Sequence, residues 1–182
     1  MSRPRIAPGS RRDVGIAAWL FARAAGRVMG TEPPAVFLTL GRTRRLFWGW
    51  LLFAGGLMPG GTLPRRDTEL VVLRVAHVRD CAYERAHHER LGRRVGLSAA
   101  EIARVADGPG APGWTDRQRA LLTVTDELLG TRRLGDAGWE ALRTHLDERA
   151  CVELLLLVGH YDMLATTLLS LDVAPDAPRR HR

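Results

Sequence analysis

Apolar residues recur at intervals of three and four through most of this sequence, and no segment alternates between apolar and polar residues over a useful length. The first pattern is typical of helices packed on a core, whereas alternation is typical of half-buried strands. Ser98 and Thr115 each stand three residues before a Glu or Gln, which is the spacing of a helix-starting capping box. The sequence therefore predicts an all-α protein of about eight helices.

The most apolar of these helices is predicted over residues 63–78. Pro64 suits its first turn, and Glu69 suits the positive end of the helix dipole. The rest has almost no polar face, so we expect it to be buried. A buried strand is the alternative, but a segment of about 15 residues that starts with proline favours a helix. Further helices are predicted over residues 13–29, 35–40, 46–53, 98–106, 115–130, 136–146 and 148–171.

Length and charge suit one small domain with basic ends. We assign residues 13–175 to a single helical domain, and residues 1–12 and 176–182 to flexible, arginine-rich tails. The formal net charge is +7, yet without the tails the body has 20 arginines against 19 acidic residues. A basic stripe on a folded face is therefore not indicated, and we expect no nucleic-acid partner.

Two features predict a cytoplasmic protein without a membrane partner. Cys81 and Cys151 are the only cysteines and no signal peptide is evident, so we expect a reducing compartment and no disulfide. The apolar run over residues 46–58 is shorter than the roughly 20 residues that a membrane helix needs. A longer run over residues 154–171 contains His160 and Asp162, which are costly in lipid, so a buried helix is favoured.

Residues 80–88 place a thiol, a phenol, carboxylates and two imidazoles within nine positions. Cys81, Glu84 and His88 are spaced by three and then four, which puts them on one face of a helix. With Asp80 as the N-cap, Cys81 would lie in the first turn, where the helix dipole favours a thiolate. A structural interpretation stays open, because a lone cysteine is often a small buried hydrophobe.

Around this helix the sequence resembles the carboxymuconolactone decarboxylase family, whose fold is that of alkyl hydroperoxidase D. Glu69, Cys81 twelve residues later and His88 match the glutamate, the first cysteine of the Cys-x-x-Cys motif and the histidine of the peroxidase branch. Glu84 stands at the position of the second cysteine. The chain thus resembles a thiol-poor branch of the family that lacks the second cysteine.

The resemblance covers most of the chain, from about Pro33 through residues 64–70 to residues 159–164. It implies an alkyl hydroperoxidase D-like helical bundle and a homo-oligomer, either a trimer or a hexamer built as a trimer of dimers. An independent pattern agrees with oligomers, because residues 46–53 hold two tryptophans and two phenylalanines, types that are enriched at protein interfaces.

The carboxylate at position 84 favours acid/base chemistry on a small-molecule substrate. Glu84 and His88 would transfer a proton, and Glu69 would orient His88. In the decarboxylase branch, a lactone acid loses carbon dioxide and carbon is protonated. We assign Tyr83 and His87 to substrate binding, with Arg74 or Arg85 as candidates to hold a substrate carboxylate. Decarboxylation or isomerisation of a small organic acid or lactone is therefore the leading hypothesis.

Two alternatives remain. In the first, Cys81 alone reduces a hydroperoxide and an external thiol resolves the sulfenic acid, which would make the protein an oxidoreductase. In the second, the chain is a non-catalytic helical oligomer, because a fold alone does not establish a function. No cofactor is predicted. Residues 84–87 form one Glu-x-x-His unit, but a di-iron site needs two such units and further glutamates, so no metal is predicted either.

Helix geometry predicts which of these side chains meet. The short turn at residues 79–80 folds the 63–78 helix back beside the helix that carries Cys81. Glu69 lies about nine residues before this turn and His88 about eight after it, so the two are nearly level at a rise of 1.5 Å per residue. We expect Glu69 to contact His88, with Glu84 one turn nearer the rim and Cys81 at the rim of a shared pocket.

Overall fold

The computed structural model describes residues 4–179, and these residues form helices and no β-strand. The predicted all-α class is confirmed, with ten α-helices among the described residues instead of about eight. Residues 1–3 and 180–182 of the predicted tails lie outside the described residues. The helices are α1 (Arg11–Val14), α2 (Ile16–Met29), α3 (Ala35–Leu40), α4 (Arg45–Leu57), α5 (Arg65–Val78), α6 (Ala82–Arg94), α7 (Ala99–Arg104), α8 (Asp116–Thr131), α9 (Asp136–Arg143) and α10 (Glu148–Ser170).

Local chemistry explains where the helices begin. Ser98 and Thr115 form the two predicted capping boxes, each accepting a hydrogen bond from the backbone N–H three residues later. The predicted 13–29 helix is divided at Gly15, whose φ of 85° is a left-handed conformation that interrupts the helix and suits glycine. Pro64 is the N-cap of α5 and not part of its first turn, which corrects the prediction by one residue. Asp147 caps α10 by accepting the Ala150 N–H at 2.8 Å.

The described residues divide into two compact units, of which the first comprises residues 4–55 and 167–179. Its core is built around Val14, Ala18 and Phe47, with Phe21 and Phe37 packed edge to face at 5.0 Å. The described ends of the chain belong to this unit, where the Arg5 N–H donates to the Leu171 carbonyl and the Arg179 N–H donates to the Gly30 carbonyl. Helix α1 begins at Arg11, inside the predicted N-terminal tail.

The second unit comprises residues 56–166 and contains every predicted site residue. Helix α5 is its central element and packs on α6 and α8. Nine of its 14 residues are buried, which confirms the prediction that this apolar segment lies in the core. Their apolar neighbours include Leu97, Trp114 and Leu122. Burial of this much apolar surface is the main term that stabilises the unit.

Helix α10 is the one described helix that is long and apolar enough to cross a membrane, by length and composition alone. Its middle carries His160 and Asp162, which are both buried. Asp162 accepts hydrogen bonds from the guanidinium groups of Arg79 and Arg132. These two ion pairs make burial of the Asp162 carboxylate tolerable, because an unpaired buried charge is costly. The cytoplasmic location stays a prediction.

Candidate functional site

The turn between α5 and α6 sets the direction of α6. The N-cap of α6 lies one residue later than predicted. Cys81, and not Asp80, is the N-cap of α6, while Asp80 takes a left-handed φ of 50°. The Asp80 N–H donates to the His77 carbonyl, and the Cys81 N–H donates to the Ala76 carbonyl. These two bonds close the end of α5 in the pattern of a Schellman motif. As a result, α6 returns along α5 and their facing side chains meet.

Glu69 and His88 form the contact that helix geometry predicts. The Nδ1 atom of His88 lies 2.7 Å from Oε2 of Glu69, which is fully buried. The other oxygen of Glu69, Oε1, accepts from Nη2 of Arg65 at 2.8 Å. Because an ionised carboxylate only accepts hydrogen bonds, the imidazole donates its Nδ1–H. The second ring nitrogen, Nε2, is then the atom that can accept or deliver a proton.

The carboxyl group of Glu84 is buried and desolvated. Only 2% of the residue is exposed, and among residues 4–179 its side-chain oxygens make no hydrogen bond of ordinary geometry, although the Cys81 thiol is close enough to interact with them. Burial raises the pKa of Glu84 to about 8, the nearby Cys81 thiol opposes this rise, and the negative charge of Asp162 adds to it. Near neutral pH this side chain is therefore mainly a neutral carboxylic acid, which can donate a proton.

The thiol of Cys81 does not have the lowered pKa that its place in the sequence suggests. The residue is 1% exposed, and burial raises the pKa of Cys81 to about 12, with the Glu84 carboxylate adding to the rise. The expected stabilisation of a thiolate at the start of α6 is thus wrong, because desolvation and a neighbouring acid outweigh the helix dipole. Cys81 and Cys151 are both free and buried in the structure.

Tyr83 and His87 lie on a neighbouring part of α6. Their rings are nearly parallel with centroids 6.4 Å apart, and the His87 ring is 5.4 Å from that of His88. Tyr83 is buried and His87 is half-buried. Burial lowers the pKa of His87, and the charges of His88 and Arg90 add to this effect. Their assignment to substrate binding stays a prediction.

Tyr161 is a site residue that sequence reasoning missed. It reaches the site from α10, and its ring stands perpendicular to that of His88 with centroids 5.1 Å apart. Burial raises the pKa of Tyr161, and the carboxylates of Glu69 and Glu84 raise it further. Residue 161 belongs to the stretch 159–164 that the family resemblance covers. No helical spacing connects it to α6, so only the fold could show the contact.

The neighbouring His160 also lies close to the site. Burial lowers the pKa of His160 to about 4, and the charge of His88 lowers it further. This imidazole is therefore neutral at physiological pH. Its ring packs edge to face on that of Tyr161 at 5.1 Å, so it helps to hold Tyr161 in place.

The two arginines predicted to hold a substrate carboxylate are engaged elsewhere. Arg74 donates to both oxygens of Asp126, at 2.6 and 2.8 Å, and to the Val105 carbonyl at 2.8 Å. Arg85 contacts the exposed Asp80 at 3.3 Å. The guanidinium that does reach the site belongs to Arg65. Its place four residues before Glu69 is a signal that the sequence offered, because helix neighbours four apart can pair.

A cavity of about 270 Å³ opens among α5, α6, α7 and the short 3₁₀ turn after α7. It is lined by Leu73, His77, Arg85, Glu89 and Ile102, among others, and Glu69, Glu84 and His88 are not among its lining residues. The shared pocket expected for those three residues stays a prediction. Within residues 4–179 no three His, Cys, Asp or Glu side chains are placed to hold a metal ion.

Comparison with known proteins agrees with the resemblance seen in the sequence. The model of the carboxymuconolactone decarboxylase family matches residues 44–127, a segment that contains α5, α6 and the whole set from Arg65 to His88. No curated protein matches the chain.

Solved structures with similar folds cover nearly the whole chain. A peroxidase-related protein from Ralstonia eutropha, described as an alkylhydroperoxidase AhpD core, is 18% identical with a TM-score of 0.85, covering 96% of this chain and 93% of that one. A peroxidase-related protein from a Silicibacter species is 16% identical with a TM-score of 0.83, covering 97% and 96%. The debrominase Bmp8 is 15% identical with a TM-score of 0.77, covering 95% and 92%. At these identities the likeness establishes the fold.

Proposed function

We propose that the protein performs acid/base chemistry on a small organic acid or lactone, because residues 44–127 match the model of the carboxymuconolactone decarboxylase family and the fold is alkyl hydroperoxidase D-like. The family supports a decarboxylase- or peroxidase-like function in general. Our choice between the two rests on one observation, the dry carboxyl group of Glu84 with a pKa of about 8. Decarboxylation or isomerisation is the reaction that such a group serves best.

The proposed roles follow from the burial of Glu84 and from the contact between Glu69 and His88. When a substrate loses carbon dioxide, the electron pair of the broken C–C bond stays on the remaining fragment, and a carbon atom must then take up a proton. Neutral Glu84 supplies that proton, since its pKa is near the working pH of a general acid. His88 returns a proton to Glu84, and Glu69 stabilises the imidazolium through the 2.7 Å contact at Nδ1. The protein would therefore be a lyase or an isomerase.

The alternative is a peroxidase that uses Cys81 alone. The fold likeness to peroxidase-related proteins is the observation in its favour. Against it stands the state of the thiol, since the thiolate is the nucleophile in such reactions. With a pKa near 12, almost all of the Cys81 thiol is protonated at pH 7. We therefore place Cys81 beside Glu84 as a neutral neighbour and not as the reacting group.

Comparing Cys81→Ser with the wild type separates the two chemistries. We expect the variant to retain turnover of unsaturated lactone acids within a few-fold, measured as release of carbon dioxide or loss of substrate absorbance. We expect hydroperoxide consumption with a dithiol reductant to stay near background in both proteins. Cys151→Ser is the matched control, because it removes the other buried free thiol. Hydroperoxide turnover that is strong in the wild type, kept in Cys151→Ser and lost in Cys81→Ser would contradict the proposal.

We also propose that the protein forms a homo-oligomer, a trimer or a hexamer, through a face of α4. Phe47 points into the core, but Leu46, Trp48, Leu52 and Phe53 are 43–80% exposed. Four large apolar side chains on one short exposed helix are unusual for a monomer surface. Neighbouring copies of the chain would cover them in a closed, symmetric assembly.

Leu52→Glu is expected to dissociate this oligomer, because Leu52 is 80% exposed and a charge there opposes burial against another copy. Light scattering at micromolar concentration should show a multiple of 20.1 kDa for the wild type and a smaller species for the variant. Leu20→Glu changes an exposed leucine on α2 and serves as the control. A monomeric wild type would refute the proposal, and dissociation by Leu20→Glu alone would refute the assignment to α4.

A further inference from the structure

The two terminal nitrogens of the Arg65 guanidinium differ, because one makes a hydrogen bond in the site and the other does not. Its Nη2 atom donates to Oε1 of Glu69 at 2.8 Å. Its Nη1 atom is buried and has no hydrogen-bond partner within residues 4–179. Buried N–H groups are almost always paired, and an unpaired one carries the cost of its lost hydration. The Nη1 group of Arg65 is therefore a donor that is available to a bound ligand.

The surroundings of Arg65 are those of the candidate site. The charges of Glu69, Glu84 and Arg65 all influence the pKa of the buried Tyr161, so the three groups lie within electrostatic range of one ring. That ring packs on His88, which is held by Glu69. Glu84 also makes no hydrogen bond of ordinary geometry through its side-chain oxygens among the described residues. An unpaired donor and an unpaired acid thus border the same small region of the second unit.

We propose that Arg65 is the residue that recognises the substrate, with its Nη1 arm binding a carboxylate oxygen while Nη2 stays on Glu69. This inference rests on the proposed acid/base function and names the substrate class as a small organic acid in its anionic form. A planar guanidinium can serve two carboxylates from its two arms, which a lysine ammonium cannot do with the same geometry. The Arg65 side chain is 35% exposed although Nη1 itself is buried, so an anion that pairs with Nη1 must enter from the exposed part of the side chain.

Charge balance explains why a carboxylate fits better than a neutral group. Arg65 and Glu69 offset each other, so this pair adds no net negative charge to the region. Glu84 is neutral near pH 7 and does not repel an anion. The Coulomb attraction between a guanidinium and an ionised oxygen also has no counterpart in an uncharged amide. The site should therefore discriminate between an acid and its uncharged amide.

Crotonate and its neutral analogue crotonamide are suitable probes, since both are small, unsaturated and of one shape. We expect the wild type to bind crotonate at least about tenfold more tightly than crotonamide, measured by ligand-observed NMR titration. Arg65→Gln and Arg65→Lys should both lose most of this preference, while helical circular dichroism is unchanged. Arg66→Gln is the matched control, because Arg66 is the next residue but pairs with Glu101.

Three results would overturn the assignment: no preference for crotonate in the wild type, a preference that persists in Arg65→Gln, or an equal loss in Arg66→Gln. Arg65→Lys keeps the charge, so it provides a second folded variant if Arg65→Gln is unstable. Glu84→Gln separates this inference from the proposed function. That variant should bind crotonate like the wild type even though its turnover is strongly lowered, so a failure of binding and a failure of catalysis are distinguishable.

Discussion

Glu84→Gln is expected to lower turnover of the acid or lactone substrate by about 10²–10⁴-fold, the usual contribution of a general acid. Glutamine has nearly the shape of the neutral carboxylic acid that Glu84 is at pH 7, but it has no proton to transfer. The site around Glu69 and His88 should therefore keep its geometry. Initial rates at saturating and limiting substrate should show the loss mainly in kcat, because the proton is needed in the transition state and not for binding.

Glu89→Gln is the control for this experiment. Glu89 lies on the same helix, α6, but pairs with Arg93 near the surface at 3.3 Å. We expect its turnover to stay within about twofold of the wild type, since surface pairs contribute little. Unchanged activity in Glu84→Gln would contradict the acid/base mechanism. Loss of helical structure in Glu84→Gln would instead support a structural role for the buried carboxyl.

The second large effect is on stability as a function of pH. Glu84 has a pKa of about 8 when folded, compared with a reference value of 4.5. Between these values the folded state holds a proton that the unfolded state has released, so the free energy of unfolding falls as pH rises. Each unit of pKa shift corresponds to about 1.4 kcal/mol, so Glu84 alone should lower the free energy of unfolding by a few kcal/mol between pH 5 and pH 8.

Replacing Glu84 by glutamine should remove this slope. The depressed pKa values of His87 and His160 act in the opposite direction, because those groups cost stability as pH falls below their unfolded value of 6.5. They are present in both proteins and cancel in the difference. Urea unfolding at pH 5, 6, 7 and 8 should thus show Glu84→Gln gaining on the wild type by a few kcal/mol towards pH 8. Parallel pH profiles would contradict a raised Glu84 pKa.

The fold was predictable because helix signals are local. Capping boxes at Ser98 and Thr115 and the apolar run in α5 identify helices from neighbours a few residues apart. The misplaced boundary at Gly15 also has a local cause, since one positive φ divides a helix whose apolar pattern continues across it. The division into two units depends on contacts between distant segments, which periodicity does not report.

The site was predictable only as far as helix geometry reaches. The Glu69–His88 pair follows from counting residues on both sides of a tight turn. The state of Cys81 did not follow, because the helix dipole can be inferred from sequence position but burial cannot. The same limit applies to Tyr161, which arrives from α10 more than 70 residues away from His88. Spacing identifies partners along one or two helices, whereas electrostatics depends on everything packed around them.

The central claim is that Glu84 is a buried carboxylic acid that is protonated at neutral pH. A ¹³C NMR titration of side-chain-labelled glutamate tests it most directly, with Glu84→Gln identifying the resonance by its disappearance. We predict that the Glu84 carboxyl resonance shifts with a midpoint near pH 8, as burial requires. A midpoint between about pH 4 and 5, the range of a solvent-exposed glutamate, would contradict the claim and the mechanism that depends on it.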